Sequence, residues 1–319
     1  MAWRGGNVLA LSGGVGGAKL ALGLHTLLPG GELHVLVNTA DDFQHLGLTI
    51  CPDIDTLLYT LSGRSDTERG WGLAGESWRV LEELGQLGGE TWFQLGDCDL
   101  ATHLRRTHAL AGGADLCEVT SELASVMGID SRIHPMSVDR VATQVQTAAG
   151  ELPFQHYFVR EQCAPAVSGF RFEGIEAARP NAEVMAMLQD DAFEAILICP
   201  SNPFVSIDPI LGLPGLWPAL RDCSAPVALV SPIVGGLALK GPAAKMMAEL
   251  EMPVTAEGVA SHYAEAYPGL VNYFVIDESD AKLRAGIGRL GLDVVTLPTI
   301  MRTLEDRQHL ARGLLELYA

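Results

Sequence analysis

The chain has 319 residues, of which 48% are hydrophobic and 19% charged, a composition typical of a folded protein rather than a disordered one. Its formal net charge of −18 disfavours nucleic acid and anionic membranes as partners. The six cysteines lack zinc-site spacing and are interpreted as reduced thiols. No signal peptide and no unbroken apolar span is evident, so we expect a cytoplasmic protein.

The first elements of the chain predict a βαβ unit. An apolar strand over residues 7–11 leads into a glycine-rich loop over residues 12–17. A helix over residues 18–28 and a second apolar strand over residues 33–37 follow. Units of this kind build parallel sheets with right-handed crossovers.

The remaining elements predict an α/β fold with a doubly wound, mainly parallel sheet of the Rossmann-like type. Further strands are expected over residues 195–199, 226–230, 273–276 and 294–297, and late helices over residues 245–251 and 303–318. The middle of the chain has helical patterns over residues 76–84, 100–110 and 116–127, and a hairpin with strands over 142–147 and 153–159. We therefore predict a core of residues 1–60 and 161–319, split by a mostly helical insertion, residues 61–160, with a small β-hairpin.

The glycine-rich loop is the first candidate binding site. It comprises Ser12, Gly13, Gly14, Gly16 and Gly17. Glycines after a strand let the backbone approach a ligand, and the start of the next helix attracts anions. Lys19 is expected in the first helical turn, within reach of a phosphate. The spacing matches neither a Walker loop nor a strict G-x-G-x-x-G motif, and a tight turn without a ligand is the alternative.

Four aspartates near the end of the second strand form the second candidate site. The segment from Asn38 to Asp42 includes Asp41, and Asp53 and Asp55 follow. Carboxylates beside an anion site need compensation, and Mg²⁺ prefers one or two carboxylates together with phosphate oxygens. The alternative is that Asp53 caps a helix and that Asp41 or Asp42 caps a turn.

The third candidate is the segment LGDCDLATHLRRT over residues 95–107. It contains Asp97 and Asp99, and Thr102, His103 and Arg106 follow at spacings that allow a cluster on one helix face. Asp99 as a helix cap and the arginines as a solvated face are the alternatives.

Two loops that follow late apolar strands form the fourth candidate. Ser201 and Asn202 lie in the first loop, and Gly235 lies in the second, a few residues before Lys240. Because the carboxyl ends of parallel strands meet at one edge of a sheet, both loops are expected beside the glycine loop. Together they favour a large ligand.

These motifs together resemble the CofD/FbiA family of 2-phospho-L-lactate transferases, which act in coenzyme F420 biosynthesis. The segments that carry the resemblance are SGGVGGAKL, NTADD, CPDIDTLLYTL, RGWG, LGDCDLATHLRRT, HPMS, FQHYFV, PSNPFVSIDPIL and SPIVGG, in this order. The resemblance implies transfer of a phosphorylated three-carbon unit from a guanosine-diphosphate-linked donor to the deazaflavin Fo, giving F420-0 or its dehydro form and GMP. It also implies a Mg²⁺ cofactor and a homodimer.

The resemblance further implies roles for individual residues. The glycines and Lys19 match the family's phosphate loop, and Ser201 and Asn202 match its nucleotide-side loop. Asp42, Asp53 and Asp55 match acidic positions near metal and Fo, and the insertion is expected to shape the Fo pocket. Cys98 stands where the family usually has a basic residue, which puts one substrate contact in doubt.

A direct displacement is the hypothesis for the mechanism. The Fo hydroxyl attacks the phosphorus next to the three-carbon unit, and loop amides, Lys19 and Mg²⁺ stabilise the developing charge. Either Asp42 or Asp55 holds the metal or takes the hydroxyl proton. The alternatives are a non-enzymatic UDP-sugar-binding regulator of the gluconeogenesis-factor type and an NAD-dependent dehydrogenase. In the latter, Asp41 or Asp42 would bind the ribose.

Overall fold

A seven-stranded parallel sheet organises the protein, which a computed structural model describes over residues 3–238 and 241–319. The strands are β1 Asn7–Ser12, β2 Leu33–Val37, β3 Phe43–His45, β4 Leu48–Ile50, β5 Arg132–Pro135, β6 Ala142–Thr147, β7 Gly150–Pro153, β8 Val167–Glu173, β9 Phe193–Ile198, β10 Val227–Val230, β11 Ile233–Val234, β12 Leu237–Ala238, β13 Tyr273–Asp277 and β14 Asp293–Leu297. The helices are α1 Gly14–Leu27, α2 Pro52–Leu61, α3 Arg79–Gln86, α4 Asp97–Ala111, α5 Leu116–Val126, α6 Ala182–Gln189, α7 Asp208–Leu211, α8 Leu216–Asp222, α9 Ala243–Glu249, α10 Ala256–Ala266, α11 Arg284–Gly288 and α12 Leu304–Leu315.

The strand order of the main sheet is β14-β13-β10-β9-β1-β2-β5, and all of its pairings are parallel. The chain runs from β1 outwards through β2 to β5, and then returns to place β9 on the other side of β1. This order puts the topological switch point between β1 and β9, where doubly wound sheets bind ligands. The predicted fold class is confirmed.

Both faces of the sheet are covered by apolar side chains. Val8 and Ala10 of β1 belong to one buried cluster, and Leu9 and Leu11 belong to the other. Alternation of this kind follows from the two-residue period of a strand, and burial on both faces explains why the strands have unbroken apolar sequences. The longest helix among the described residues has 15 residues, and none of them is both long and apolar enough to cross a membrane.

The middle of the chain differs from the predicted insertion in two places. Residues 132–135, predicted within the insertion, form β5, the edge strand of the main sheet next to β2. The second strand of the predicted hairpin is β7, which ends at Pro153, and a π-helical turn, His156–Arg160, follows it. Because β8 pairs with β6 as well, the small sheet has three strands and extends beyond residue 160.

Candidate active site

The glycine loop lies at the switch point and contacts the end of β9 directly. The amide of Gly13 donates a hydrogen bond to Ser201 Oγ over 3.1 Å. A Cβ added at Gly16 would lie 2.3 Å from the carbonyl oxygen of Pro200, and one at Gly17 would lie 2.3 Å from Ser12 Oγ. Close approach of the Pro200 backbone therefore requires a glycine at position 16, and two serine side chains crowd position 17. The predicted neighbourhood of the glycine loop and the Ser201 loop is confirmed by these contacts.

Helix α1 begins at Gly14, four residues earlier than the sequence predicts. Lys19 consequently lies beyond the first turn, and its Nζ donates to the carbonyl oxygen of Met301 over 3.2 Å. The sequence predicts a loop over these glycines, but Gly14, Val15, Gly16 and Gly17 form the first turn of the helix. Gly14, with a φ of 62°, adopts a conformation that favours glycine. A direct role of Lys19 at phosphate stays a prediction.

Asp53 links the glycine loop to α2 and to the end of β2. Its Oδ1 accepts from the Gly14 amide over 2.8 Å, and its Oδ2 accepts from Asn38 Nδ2 over 3.0 Å. Helix α2 starts at Pro52 with Cys51 at its N-cap, so Asp53 lies inside the first turn and is not the cap. Because a protein carboxylate already occupies the Gly14 amide, a substrate anion would need other donors of the loop or a cation.

Asp41 and Asp42 lie beside Asp53 and carry carboxylate oxygens that lack a partner. The Oδ1 atoms of Asp41 and Asp42 are both buried without a hydrogen bond. Burial raises the pKa of both aspartates, and the charges of Asp53 and Asp42 raise that of Asp41 further. Burial also raises the pKa of Asp53, to about 6. Crowded carboxylates with unused oxygens fit a divalent cation, which would compensate their charge.

The aspartates do not form a ready three-ligand site. Within residues 3–238 and 241–319, the group of three metal-ligating side chains whose donor atoms all lie within 4.8 Å of one another consists of His34, His134 and Glu183. Asp42, whose Oδ1 is unused, instead suits a cation that takes one or two carboxylates and completes its shell with water and phosphate oxygens. Asp53 would join it only through an oxygen that already accepts from Gly14 or Asn38.

Asp55 is the partner of a buried arginine. Arg106 is fully buried and donates through Nη1 to Asp55 Oδ2 over 3.0 Å and through Nη2 to Asp55 Oδ1. His103 lies against the same pair, with Nδ1 3.3 Å from Arg106 Nη1 and Nε2 3.3 Å from Asp99 Oδ1. Asp99 in turn accepts from the Tyr59 hydroxyl and is not the N-cap of α4, which is Gly96.

This network joins α2 to α4 beside the acidic cluster, which consists of Asp41, Asp42 and Asp53. Both oxygens of Asp55 accept from Arg106, so metal or proton chemistry at Asp55 stays a prediction. His103 and Arg106, predicted to bind substrate, are buried and engaged within the network.

Asp97, at the start of α4, caps helix α3, and Glu76, just before α3, caps helix α4. Its carboxylate accepts from the Ser77 hydroxyl over 2.6 Å and from the Val80 amide over 3.1 Å, at the start of α3. Glu76 does the same for α4, because it accepts from the amides of Cys98 and Asp99, each over 2.8 Å. Sequence inspection missed Glu76 because the two segments lie 20 residues apart. The arrangement assigns Asp97 a structural role, and its contact with substrate stays a prediction.

Cys98 is exposed at this junction. The carboxylate of Glu76 raises the pKa of its thiol, so the position does not carry an activated thiolate.

Asn202 and Gly235 lie in the two late loops. The side chain of Asn202 accepts from the Phe204 amide over 3.0 Å and caps a π-helical turn, Pro203–Ile207. The Gly235 amide donates to Asp280 Oδ2 over 2.9 Å. Lys240 lies outside the described residues.

An aromatic cluster adjoins the acidic residues through the chain itself, since Phe43 directly follows Asp42. Phe43 packs with its ring centroid 4.9 Å from that of Phe93, and Trp92 packs 5.2 Å from His45 and 4.8 Å from His156. Phe43, Trp92, Phe93 and His156 are only partly buried. The cluster assembles β3, the segment before α4 and the turn after β7, so no single stretch of sequence predicted it.

The family model for "2-phospho-L-lactate transferase CofD" matches residues 8–287, which include the whole of this site. The chain belongs to the CofD family. It is therefore a transferase, and the regulator and dehydrogenase alternatives are set aside.

Two groups of curated relatives match this CofD-family chain equally well. A 2-phospho-L-lactate transferase of Methanococcoides burtonii is 38% identical over 312 residues, which cover 98% of this chain and 99% of the relative. A phosphoenolpyruvate transferase of Kitasatospora aureofaciens is 37% identical over 316 residues, which cover 97% of each chain. The two names differ in the three-carbon unit, and the nearly equal identities do not choose between them.

A crystal structure from Bacillus halodurans, described as a member of the UPF0052 family, shares the fold. It superposes with a TM-score of 0.63 at 14% sequence identity and covers 99% of both chains. A second structure of a Bacillus halodurans protein gives a TM-score of 0.65 at 15% identity. At such identities the likeness concerns the architecture alone.

Proposed function

We propose that this protein transfers a phosphorylated three-carbon acid from a guanosine-diphosphate-linked donor to the hydroxyl of the deazaflavin Fo and releases GMP. The three-carbon unit is 2-phospholactate, phosphoenolpyruvate or a close relative. Mg²⁺ is the proposed cofactor, and a cytoplasmic homodimer is the proposed form of the enzyme.

One observation carries the proposal. Buried carboxylate oxygens of Asp41 and Asp42 lack partners near Asp53, which itself accepts from the Gly14 amide of the glycine loop at the topological switch point. A doubly wound fold binds its ligand at this edge, and an acidic cluster there suits a diphosphate only when a cation is shared between them. A guanosine diphosphate donor brings the phosphate oxygens that would complete such a cation's shell.

Metal binding, donor binding and proton transfer would fall to different residues at the switch point. Asp42 and Asp53 would hold Mg²⁺, which when bound supplies positive charge to the phosphate oxygens. The first-turn amides of α1 and the loop of Ser201 would fix the donor at the switch point. Asp41 or Asp42, whose pKa is raised by burial, would accept the proton of the attacking hydroxyl.

The partly exposed rings of the aromatic cluster are suited to binding a planar acceptor such as Fo. Phe43 directly follows Asp42 in the chain, and its ring packs against Trp92, which in turn packs against His156. All three rings are partly exposed. A flat heterocycle that stacks on such rings would place its side-chain hydroxyl near the acidic residues. Fo would then be bound between the core and the part of the chain from residue 61 to 160.

The test is incubation of the purified protein with Fo, Mg²⁺ and each guanosine-diphosphate-linked donor in turn, with mass-spectrometric detection of GMP and product. Formation of GMP and a phosphorylated three-carbon adduct of Fo with one donor is expected. Absence of both with every donor would refute the proposal. In the same assay, full turnover by Asp55→Asn would exclude an essential role for that carboxylate.

A further inference from the structure

Two histidines meet on neighbouring strands, away from the candidate active site. His34 lies on β2 and His134 on β5, on the face of the sheet that α6 covers. His34 Nδ1 and His134 Nε2 are 3.0 Å apart, and both side chains are buried. His34 precedes Asn38 by four residues, so the pair lies roughly 13 Å along the strand from the acidic cluster, at ~3.3 Å per residue.

A carboxylate and a solvent cavity lie beside the histidine pair. Glu183, in the first turn of α6, has Oε2 3.8 Å from His134 Nδ1, and its side chain is 55% exposed. The donor atoms of His34, His134 and Glu183 all lie within 4.8 Å of one another. A cavity of about 670 Å³ is lined by His134, Glu183 and Cys117 and gives solvent and ions a way in.

We propose that His34, His134 and Glu183 bind a divalent transition-metal ion, with Zn²⁺ as the best fit. Two imidazoles and one carboxylate are a ligand set that Zn²⁺ accepts, and water from the cavity would fill the fourth position. Two nitrogens on one tetrahedral Zn²⁺ lie about 3.3 Å apart, so the observed spacing needs only a small opening and ring rotation. Mg²⁺ prefers oxygen ligands and would not replace it.

The surroundings are consistent with neutral imidazole ligands. Burial lowers the pKa of His34 and of His134 to about 4. Each neutral ring carries one proton, and His34 Nδ1 and His134 Nε2 lie within hydrogen-bonding distance of each other. Both nitrogens would face an ion once the proton between them had moved to the outer nitrogen of its ring. Arg132 Nη1 lies 3.9 Å from Glu183 Oε1 and opposes the ion, because it competes for the carboxylate. The ion would gain affinity if this arginine were removed.

The proposal is independent of the transferase reaction and is tested by binding alone. Isothermal titration with Zn²⁺, in excess Mg²⁺, would be compared among the unmodified protein, Glu183→Gln, His134→Gln and Arg132→Gln. We expect one high-affinity Zn²⁺ in the unmodified protein. Its affinity should fall by about tenfold or more in Glu183→Gln and by more in His134→Gln. Arg132→Gln should bind more tightly.

The matched control is Glu305→Gln, since Glu305 is an exposed glutamate in the first turn of α12, as Glu183 is in the first turn of α6. It should bind Zn²⁺ like the unmodified protein. Histidine-ring NMR of the unmodified protein provides a readout without mutation, and Zn²⁺ should shift the His34 and His134 rings. Unchanged rings, or equal Zn²⁺ binding by Glu183→Gln and Glu305→Gln, would overturn the site.

Discussion

The guanidinium of Arg106 donates to both carboxylate oxygens of Asp55 and fixes α4 against α2 beside the acidic cluster. The Arg106 side chain is 0% exposed and that of Asp55 is 7% exposed, so both charges are almost completely removed from solvent. Asp55 is thereby neutralised within the protein, while Asp41, Asp42 and Asp53 are not. Asp55 therefore differs from the other three aspartates in having a buried positive partner that holds both of its oxygens.

Arg106→Met should strongly destabilise the protein, because it leaves the Asp55 charge buried and unpaired. Loss of one partner of a buried ion pair costs about 3–5 kcal/mol, and replacement of both partners by apolar residues costs far less. The free energy of unfolding, measured in urea, should therefore be lower for Arg106→Met than for Arg106→Met with Asp55→Leu. Equal losses in the two variants would contradict this account.

Gly16→Ala should destabilise the protein and reduce transferase activity together. Its Cβ would lie 2.3 Å from the Pro200 carbonyl oxygen, a backbone atom, so the loop of Ser201 must move. Overpacking of this kind costs about 1–3 kcal/mol. Gly288→Ala is the control, because that helical glycine has nothing within 4 Å of an added Cβ. It should be neutral or slightly stabilising.

Ionisation of Asp53 should weaken the metal-free protein as the pH rises. Burial raises the pKa of Asp53 from 3.8 to about 6. The folded state therefore holds this proton more tightly than the unfolded state, and the contribution is complete below pH ~4 and lost as the pH passes through about 6. The melting temperature of the unmodified protein relative to Asp53→Asn should fall over this window.

Mg²⁺ should reverse that loss, since it compensates the ionised carboxylates. The Mg²⁺-induced rise in melting temperature should be larger at pH 7.5 than at pH 5 in the unmodified protein, and smaller in Asp53→Asn. A rise of the same size at both pH values would count against a cation at this cluster.

Asp42→Asn and Asp97→Asn should separate chemistry from helix capping. Asp42 has an unpartnered carboxylate oxygen in the acidic cluster, so its loss should lower kcat by about 10²-fold or more. Asp97 accepts hydrogen bonds from Ser77 and Val80, so its loss should lower the melting temperature slightly and leave kcat nearly unchanged. A large fall of kcat in Asp97→Asn with normal stability would indicate that Asp97 contacts the substrate.

Trp92→Leu should raise the KM for Fo with little change in KM for the donor, because it removes a ring from the aromatic cluster beside Phe43. Loss of one stacked ring costs about 0.5–1.5 kcal/mol, which corresponds to about a twofold to twelvefold loss of affinity. Trp71→Leu is the matched control, since Trp71 packs on Arg69 and Trp78 away from this cluster. Equal KM values for Fo in both variants would argue against stacking at Trp92.

The sequence by itself determined the parallel sheet and the place of the glycine loop, because unbroken apolar strands and a glycine-rich turn are local signals. It also determined the CofD family through long motifs such as NTADD and PSNPFVSIDPIL. Only the tertiary structure decided which aspartate is neutralised, since the Arg106–Asp55 contact joins residues 51 positions apart. It likewise decided that Glu76 and Asp97 exchange helix caps, and that His34 meets His134 across two strands. Charge compensation depends on distance in space, which the spacing of residues along a chain does not encode.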